Sequence, residues 1–281
     1  MPIADKASEF LSKLGSSLKG VAKIALQSRR STVERVAAPG ESLIIMGNGP
    51  SLAQTIANDA AELHRHRLLA VNFAANTNEF FALRPDFYVM ADPVFFSQTD
   101  NENVARLWVN FSDRVDWPMT LFVPVGVGLP VTVAPNVKVQ RFNPVGVEGF
   151  AWFERIAYAS GRAMPRPRNV LIPSIMLGIQ MGFSTIYLTG ADHSWSKTLE
   201  VAEDNTVVSV QPHFYSDNKS EHDRVASVYK NIRLHDIMYS FHVAFKSYFG
   251  IRRYAESRGV EVVNSTPGSF IDAFERRPLG R

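Results

Sequence analysis

The chain has 281 residues, 46% hydrophobic and 20% charged, with a formal net charge of +3 and no cysteine. These values exclude disulfides, thiolate nucleophiles and cysteine-held metals, and the charge is too mild to argue for nucleic acid. What remains is a globular α/β protein without an apolar run long enough to span a bilayer, suited to a reducing cytoplasm.

The first element expected is an amphipathic helix over residues 2–28. Ile3, Ala7, Phe10, Leu11, Leu14, Leu18, Val21, Ala22 and Ala25 recur at spacings of three and four, with Lys6, Lys13, Lys19 and Lys23 off that stripe. Such a helix either rests on an anionic bilayer or packs on the rest of the protein or a partner subunit. Gly15 and Gly20 weaken it as a free helix and favour packing. The N-terminus lacks the compact apolar core of a signal peptide. "VAAPGES" at 36–42 reads as a linker, so residues 1–38 form an N-terminal segment and 39–281 the main domain.

Strand and helix patterns then alternate. "SLIIM" (42–46), "LLAVNF" (68–73), "DFYVMAD" (86–92), "TLFVP" (120–124), "VKVQRF" (137–142), "TIYLTG" (185–190) and "VEVVN" (260–264) read as strands. Helices are expected over 51–63, 173–182 and about 229–258. Continuous apolar strands between helices imply one Rossmann-like domain with a mainly parallel sheet covered on both faces. The polar stretch 193–230 reads as a lid.

In such sheets ligands sit outside the carboxyl ends of the strands. The first strand ends in Gly47-Asn48-Gly49-Pro50-Ser51 and runs into a helix. Its exposed N–H groups and the helix dipole suit an anion, although a plain glycine turn gives the same sequence. The dinucleotide G-x-G-x-x-G spacing and the P-loop lysine are both missing. Asn72 and Asp92-Pro93 end the next two strands, as ribose or base contacts or as turn residues. Further along, "LTGADHSW" places Gly190, Asp192, His193 and Trp195 at another strand end, and a carboxylate beside an imidazole suits acid–base chemistry or sugar contact. Neither a D-x-D pair nor H-E-x-x-H spacing is present, so no metal is expected.

The order of these motifs resembles the bacterial family 42 sialyltransferases and the related Maf-type and MptE-like proteins. "LIIMGNGPSL", "AVNF", "YVMADPVFF", "IPSIMLGIQMGFSTIYLTGAD" and "FHVAFKSYFGIRRYAESRGVEVVNSTPGS" carry the resemblance over roughly residues 41–275. It implies transfer of a sugar from a CMP-activated donor without a metal or other cofactor, to a glycan or lipid-linked glycan at the inner face of the cytoplasmic membrane. It further implies that Gly47, Asn48, Gly49, Pro50 and Ser51 surround the phosphate and ribose, that Asn72 contacts the nucleotide and that Ser174 contacts the donor. The family's general base, counted back from Pro267, falls on His242.

Two departures stand out. Asp92 replaces an asparagine, and His193-Ser194-Trp195 replaces tyrosines that help the phosphate leave, a role open to His193, His213, Tyr215 or a nearby arginine. An acidic sugar such as sialic acid, another nonulosonate or Kdo is the expected donor, with a UDP- or GDP-sugar also open. Two alternatives are an MptE-like diphosphokinase with ATP and Mg²⁺ held by Asp92 and Asp192, and a nucleotide-binding scaffold in polysaccharide assembly.

Overall fold

The computed structural model describes residues 3–209, 214 and 232–280. Eight strands form one sheet: β1 (Ser42–Met46), β2 (Arg67–Val71), β3 (Phe87–Val89), β4 (Met119–Pro124), β5 (Val137–Phe142), β6 (Thr185–Thr189), β9 (Glu261–Asn264) and β10 (Glu275–Arg276). Their order is β10-β9-β6-β1-β2-β3-β4-β5, and every pairing is parallel. Both faces of the sheet are buried, as the continuous apolar runs require. In β1, Leu43 and Ile45 enter one core, with α7 (Ala151–Ala159), α8 (Leu171–Met181) and α9 (Leu234–Ser257). Ile44 and Met46 enter the other, with α2 (Ser51–Asn58), α3 (Ala60–Leu63), α4 (Asn78–Leu83) and α6 (Glu102–Val109). The four-residue helix α5 (Val94–Ser97) follows β3. The chain fills the sheet outward from β1 to β5, then crosses back to lay β6 on the other side of β1. The topological switch point therefore lies between β1 and β6.

Several expected elements have different bounds. The helix after β1 breaks at Asp59, whose φ of −118° leaves the helical region, so α2 and α3 are separate. β2 stops at Val71, because Asn72 turns into the left-handed region at φ 54°. Within the lid stretch, β7 (Leu199–Val201) and β8 (Val207–Ser209) form an antiparallel hairpin, while residues 210–213 and 215–231 lie outside the described residues. Residues 36–42 are no free linker. The N–H groups of Val36 and Ala37 donate to Met181 O at 3.0 and 3.1 Å, and upstream Thr32 N donates to Arg141 O at 3.0 Å. A backbone running over a surface satisfies its donors there.

The N-terminal helix α1 (Ile3–Gln27) docks by its small residues, not its leucines. Ser17 is buried, and its Oγ accepts from Phe150 N at 3.0 Å. A methyl group at Gly20 would meet the Phe153 ring at 2.7 Å. Lys23 Nζ donates to Gly146 O at 3.3 Å. Gly20 thus permits the close approach, instead of merely weakening the helix. Among the described residues, no helix is long and apolar enough to cross a membrane.

Candidate functional site

A cavity of about 970 Å³ opens at the carboxyl ends of the strands, over the switch point. Gly47, Asn48, Gly49 and Pro50 line it from β1, Asn72 from β2, Asp92 from β3, and Gly190, Asp192 and His193 from β6. The strand-end rule thus gathers most of the expected residues, at the size of a small-molecule site.

The loop after β1 differs from an anion cradle. Gly47 N donates to Thr189 O and Gly49 N to Gly190 O, each at 2.8 Å. Two of the N–H groups expected to meet a phosphate are therefore spent on β6. The glycines are needed for that contact. A Cβ at Gly47 would lie 2.5 Å from Gly190 O, and one at Gly49 would lie 2.0 Å from Asp192 Oδ2. Gly190 itself has φ 60°. Ser51, outside the cavity lining, donates its hydroxyl to Asp192 Oδ2 at 2.7 Å. The two loops at the switch point are clamped together, and Asp192 is held in place by the clamp.

The polarity of the cavity comes from side-chain amides. Asn48 Nδ2 donates to Val71 O at 3.1 Å, which fixes the amide and leaves a buried Oδ1 without a partner. Asn72 Oδ1 is also buried and unpartnered. Its left-handed turn is pinned by Tyr88, whose hydroxyl donates to Asn72 O and accepts from Ala75 N. Asn169, also on the cavity lining, sits just before α8. Its Oδ1 accepts from Leu171 N at 3.0 Å, Ile172 N at 3.4 Å and Tyr248 Oη at 3.0 Å, and its Nδ2 is buried without a partner. Unsatisfied buried groups of this kind cost about 1–3 kcal/mol each. Asn48, Asn72, Asn169 and the exposed Arg168 all line the cavity, while the three unpartnered amide atoms lie just beneath its surface.

His193 backs this arrangement. It is buried with φ 50°, and its Nε2 lies 2.6 Å from Tyr248 Oη. Because Tyr248 gives its proton to Asn169, the imidazole carries its hydrogen on Nε2 and donates to the phenol oxygen. Burial pushes its pKa down to about 3, so the ring is neutral at neutral pH. Trp195 lies against it with ring centroids 4.1 Å apart. The same burial raises the Tyr248 phenol well above its ordinary value. His193 is therefore a neutral hydrogen-bond donor that orients Tyr248 and, through it, Asn169.

Other expected residues are not brought to the cavity. Ser174 is fully buried in α8, and its hydroxyl donates to Val170 O at 2.7 Å. His242 is exposed on α9 and is absent from the cavity lining, while its neighbours Val243 and Ala244 face the core. The geometry does not bring it to the position of a base. Asp92 is exposed, lines the cavity and caps α5 through Oδ1, which accepts from Val94 N at 3.0 Å. His213 and Tyr215 lie outside the described residues. Phe214, between them, donates its N–H to Asn48 O at 3.0 Å.

The residue missed in the sequence was Asn169. Its signal is an asparagine two positions ahead of an apolar helix, an N-cap pattern hidden by starting that helix at Pro173.

No family model matches the chain, and no curated protein matches it. Among solved structures it is similar to the Maf glycosyltransferase of Magnetospirillum magneticum AMB-1, at 13% sequence identity and a TM-score of 0.49. The match covers 94% of this chain and 38% of that protein, so the chain spans well under half of its length.

Proposed function

We propose that this chain is a glycosyltransferase that moves an acidic sugar from a CMP-activated donor to a hydroxyl of a bacterial surface glycan, without a metal. The observation that carries this reading is the switch-point cavity itself, where Asn48, Asn72, Asp92, Arg168, Asn169 and Asp192 gather at the carboxyl ends of the strands. Asn48 and Asn72 face the ribose and base end of the donor. Asn169 and Arg168 meet the oxygens of the phosphate or the sugar carboxylate. The nucleotide and the sugar class are what the resemblance in motif order implies, with sialic acid, related nonulosonates and Kdo as candidates.

In the reaction, the acceptor oxygen forms a bond to the anomeric carbon as the bond to the phosphate oxygen breaks, and CMP leaves with the electron pair. The acceptor's proton goes to Asp192, the carboxylate that the Ser51 hydroxyl holds at the cavity wall. A carboxylate takes more than one hydrogen bond, so the Ser51 contact does not block it. Asp192 replaces His242 in this role. The departing charge is met by Asn169, whose amide is fixed by Leu171 N, Ile172 N and Tyr248, and by the exposed Arg168 guanidinium.

The test is thermal unfolding with CMP, UDP, GDP and ATP, each with and without Mg²⁺, followed by CMP release from CMP-sugars. A ligand at about 100 times its dissociation constant stabilises the native state by about 2.7 kcal/mol. Stabilisation by CMP in EDTA, reduced in Asn169→Ala and Asn48→Ala, is the expected result. Stabilisation by ATP with Mg²⁺ alone would replace this reading with a diphosphokinase. CMP binding without release from any CMP-sugar would make the chain a scaffold.

A further inference from the structure

The apolar stripe of α1 faces away from the protein. Phe10, Leu11 and Leu18 are each more than half exposed, and Leu14 is exposed beside them. The patch continues onto α7: Phe10 contacts Phe150 at 5.3 Å between ring centroids, and Phe150 stacks on Trp152 at 6.3 Å. Trp152 and Ile156 are also more than half exposed. A contiguous apolar surface spanning two helices marks an interaction site.

Charge decides what covers it. Residues 1–30 hold six lysines and arginines against Asp5 and Glu9, a net +4, while the whole chain carries +3. The entire excess positive charge therefore sits on the segment that bears the patch, and the remainder nets −1. At 3.6 residues per turn, Lys6 and Lys13 border the apolar arc on one side and Lys19 on the other. A second copy docked face to face would set +4 against +4. An anionic lipid surface accepts both the apolar face and its basic borders. The docking of α1 by Ser17 and Gly20 holds the helix on the protein while its stripe stays free.

We propose that α1 and the start of α7 form one bilayer-docking face, with Phe10, Leu11, Leu14, Leu18, Trp152 and Ile156 entering the interface of an anionic membrane. This does not rest on the proposed transfer reaction.

The experiment is co-sedimentation of the full chain with vesicles of phosphatidylcholine, alone or with about one-third phosphatidylglycerol. Binding to the anionic vesicles is expected, weakening with salt. Leu11→Glu/Leu18→Glu, on an exposed face, should unfold at the wild-type temperature and lose that binding. Lys6→Glu/Lys19→Glu should weaken it by on the order of fivefold or more per position. Brominated lipids should quench wild-type fluorescence and spare Trp152→Phe. No binding, or binding indifferent to Leu11→Glu/Leu18→Glu, would overturn the proposal. So would a dimer in sedimentation velocity that this double variant dissociates.

Discussion

The two ends of the sheet are built from similar polar residues used in opposite ways. At the amino ends, a groove of about 540 Å³ is rimmed by Glu41, Ser42, His66, Arg67 and Asp86, and each of these has a partner. Arg67 Nε donates to Asp86 Oδ1 at 2.6 Å and its Nη1 lies 3.5 Å from Glu41. His66 bridges Ser42 at 2.5 Å and Glu62 at 3.0 Å. At the carboxyl ends, Asn48, Asn72 and Asn169 each hold one buried amide atom without a partner among the described residues. The difference teaches where to look for a ligand: polar groups that satisfy one another hold the fold, and a cluster of unsatisfied ones around a cavity marks the place for something else.

The sharpest way to break that division is at Asp192. Asp192→Asn keeps an oxygen for the Ser51 hydroxyl and removes the proton acceptor. CMP release should fall by about 10²–10⁴ with the unfolding temperature little changed. An unaltered rate would remove Asp192 from the chemistry and leave it as part of the loop clamp. The next largest effect is at Gly49. A methyl group there lies 2.0 Å from Asp192 Oδ2 and 2.7 Å from Gly190 O. Because backbone must move, Gly49→Ala should cost about 1–3 kcal/mol or more and abolish the thermal shift with CMP. Gly128→Ala, which meets nothing within 4 Å, should change neither.

The sheet was legible in the sequence because parallel strands buried on both faces read as unbroken apolar runs, as "SLIIM" and "TIYLTG" do. Short helices were not: "VFFS" at 94–97 has too few residues to show a period. At the site, the strand-end rule found Asn48, Asn72 and Asp192. It misread what the glycines do, because crowding between two loops 140 residues apart leaves no mark beyond the glycines themselves. Ser174 misled because a serine near a helix start can also bond back to the carbonyl four residues earlier. A position counted from Pro267 places His242 on a helix but not on a face of it. The role of Asn169 depends on Tyr248, 79 residues later.

His193 sharpens the comparison through pH. Its folded pKa of about 3 lies below the unfolded value of about 6.5, so below pH 6.5 the unfolded state binds the extra proton. The native state therefore loses stability as pH falls from 6.5 towards 3, by about 2 kcal/mol at pH 5. His193→Asn removes this titration, and asparagine tolerates the φ of 50° that position 193 requires. The gap between the wild-type and variant unfolding temperatures should therefore move in favour of the variant between pH 7 and pH 5. A gap that stays constant would mean that solvent reaches the imidazole. The variant should also bind CMP more weakly at pH 7, since Tyr248 loses the donor that orients it.

The smallest effect belongs to the amino ends, and it tests whether that end is purely structural. Asp86 accepts from Arg67 and, through Oδ2, from Leu68 N at 2.9 Å. The ion pair is about a third exposed on both sides, so screening leaves it a fraction of a kcal/mol. The bond to the Leu68 N–H matters more, because Leu68 is buried at the start of β2. Asp86→Asn keeps an oxygen for that N–H and should cost less than about 0.5 kcal/mol, whereas Asp86→Ala loses both partners and should cost about 1–2 kcal/mol. For a chain of this size each kcal/mol corresponds to a shift of about 2–4 °C in Tm. Equal losses in the two variants would place the stabilisation in the charge. Neither should change the thermal shift with CMP, and a variant that did would join the two ends of the sheet into one functional unit.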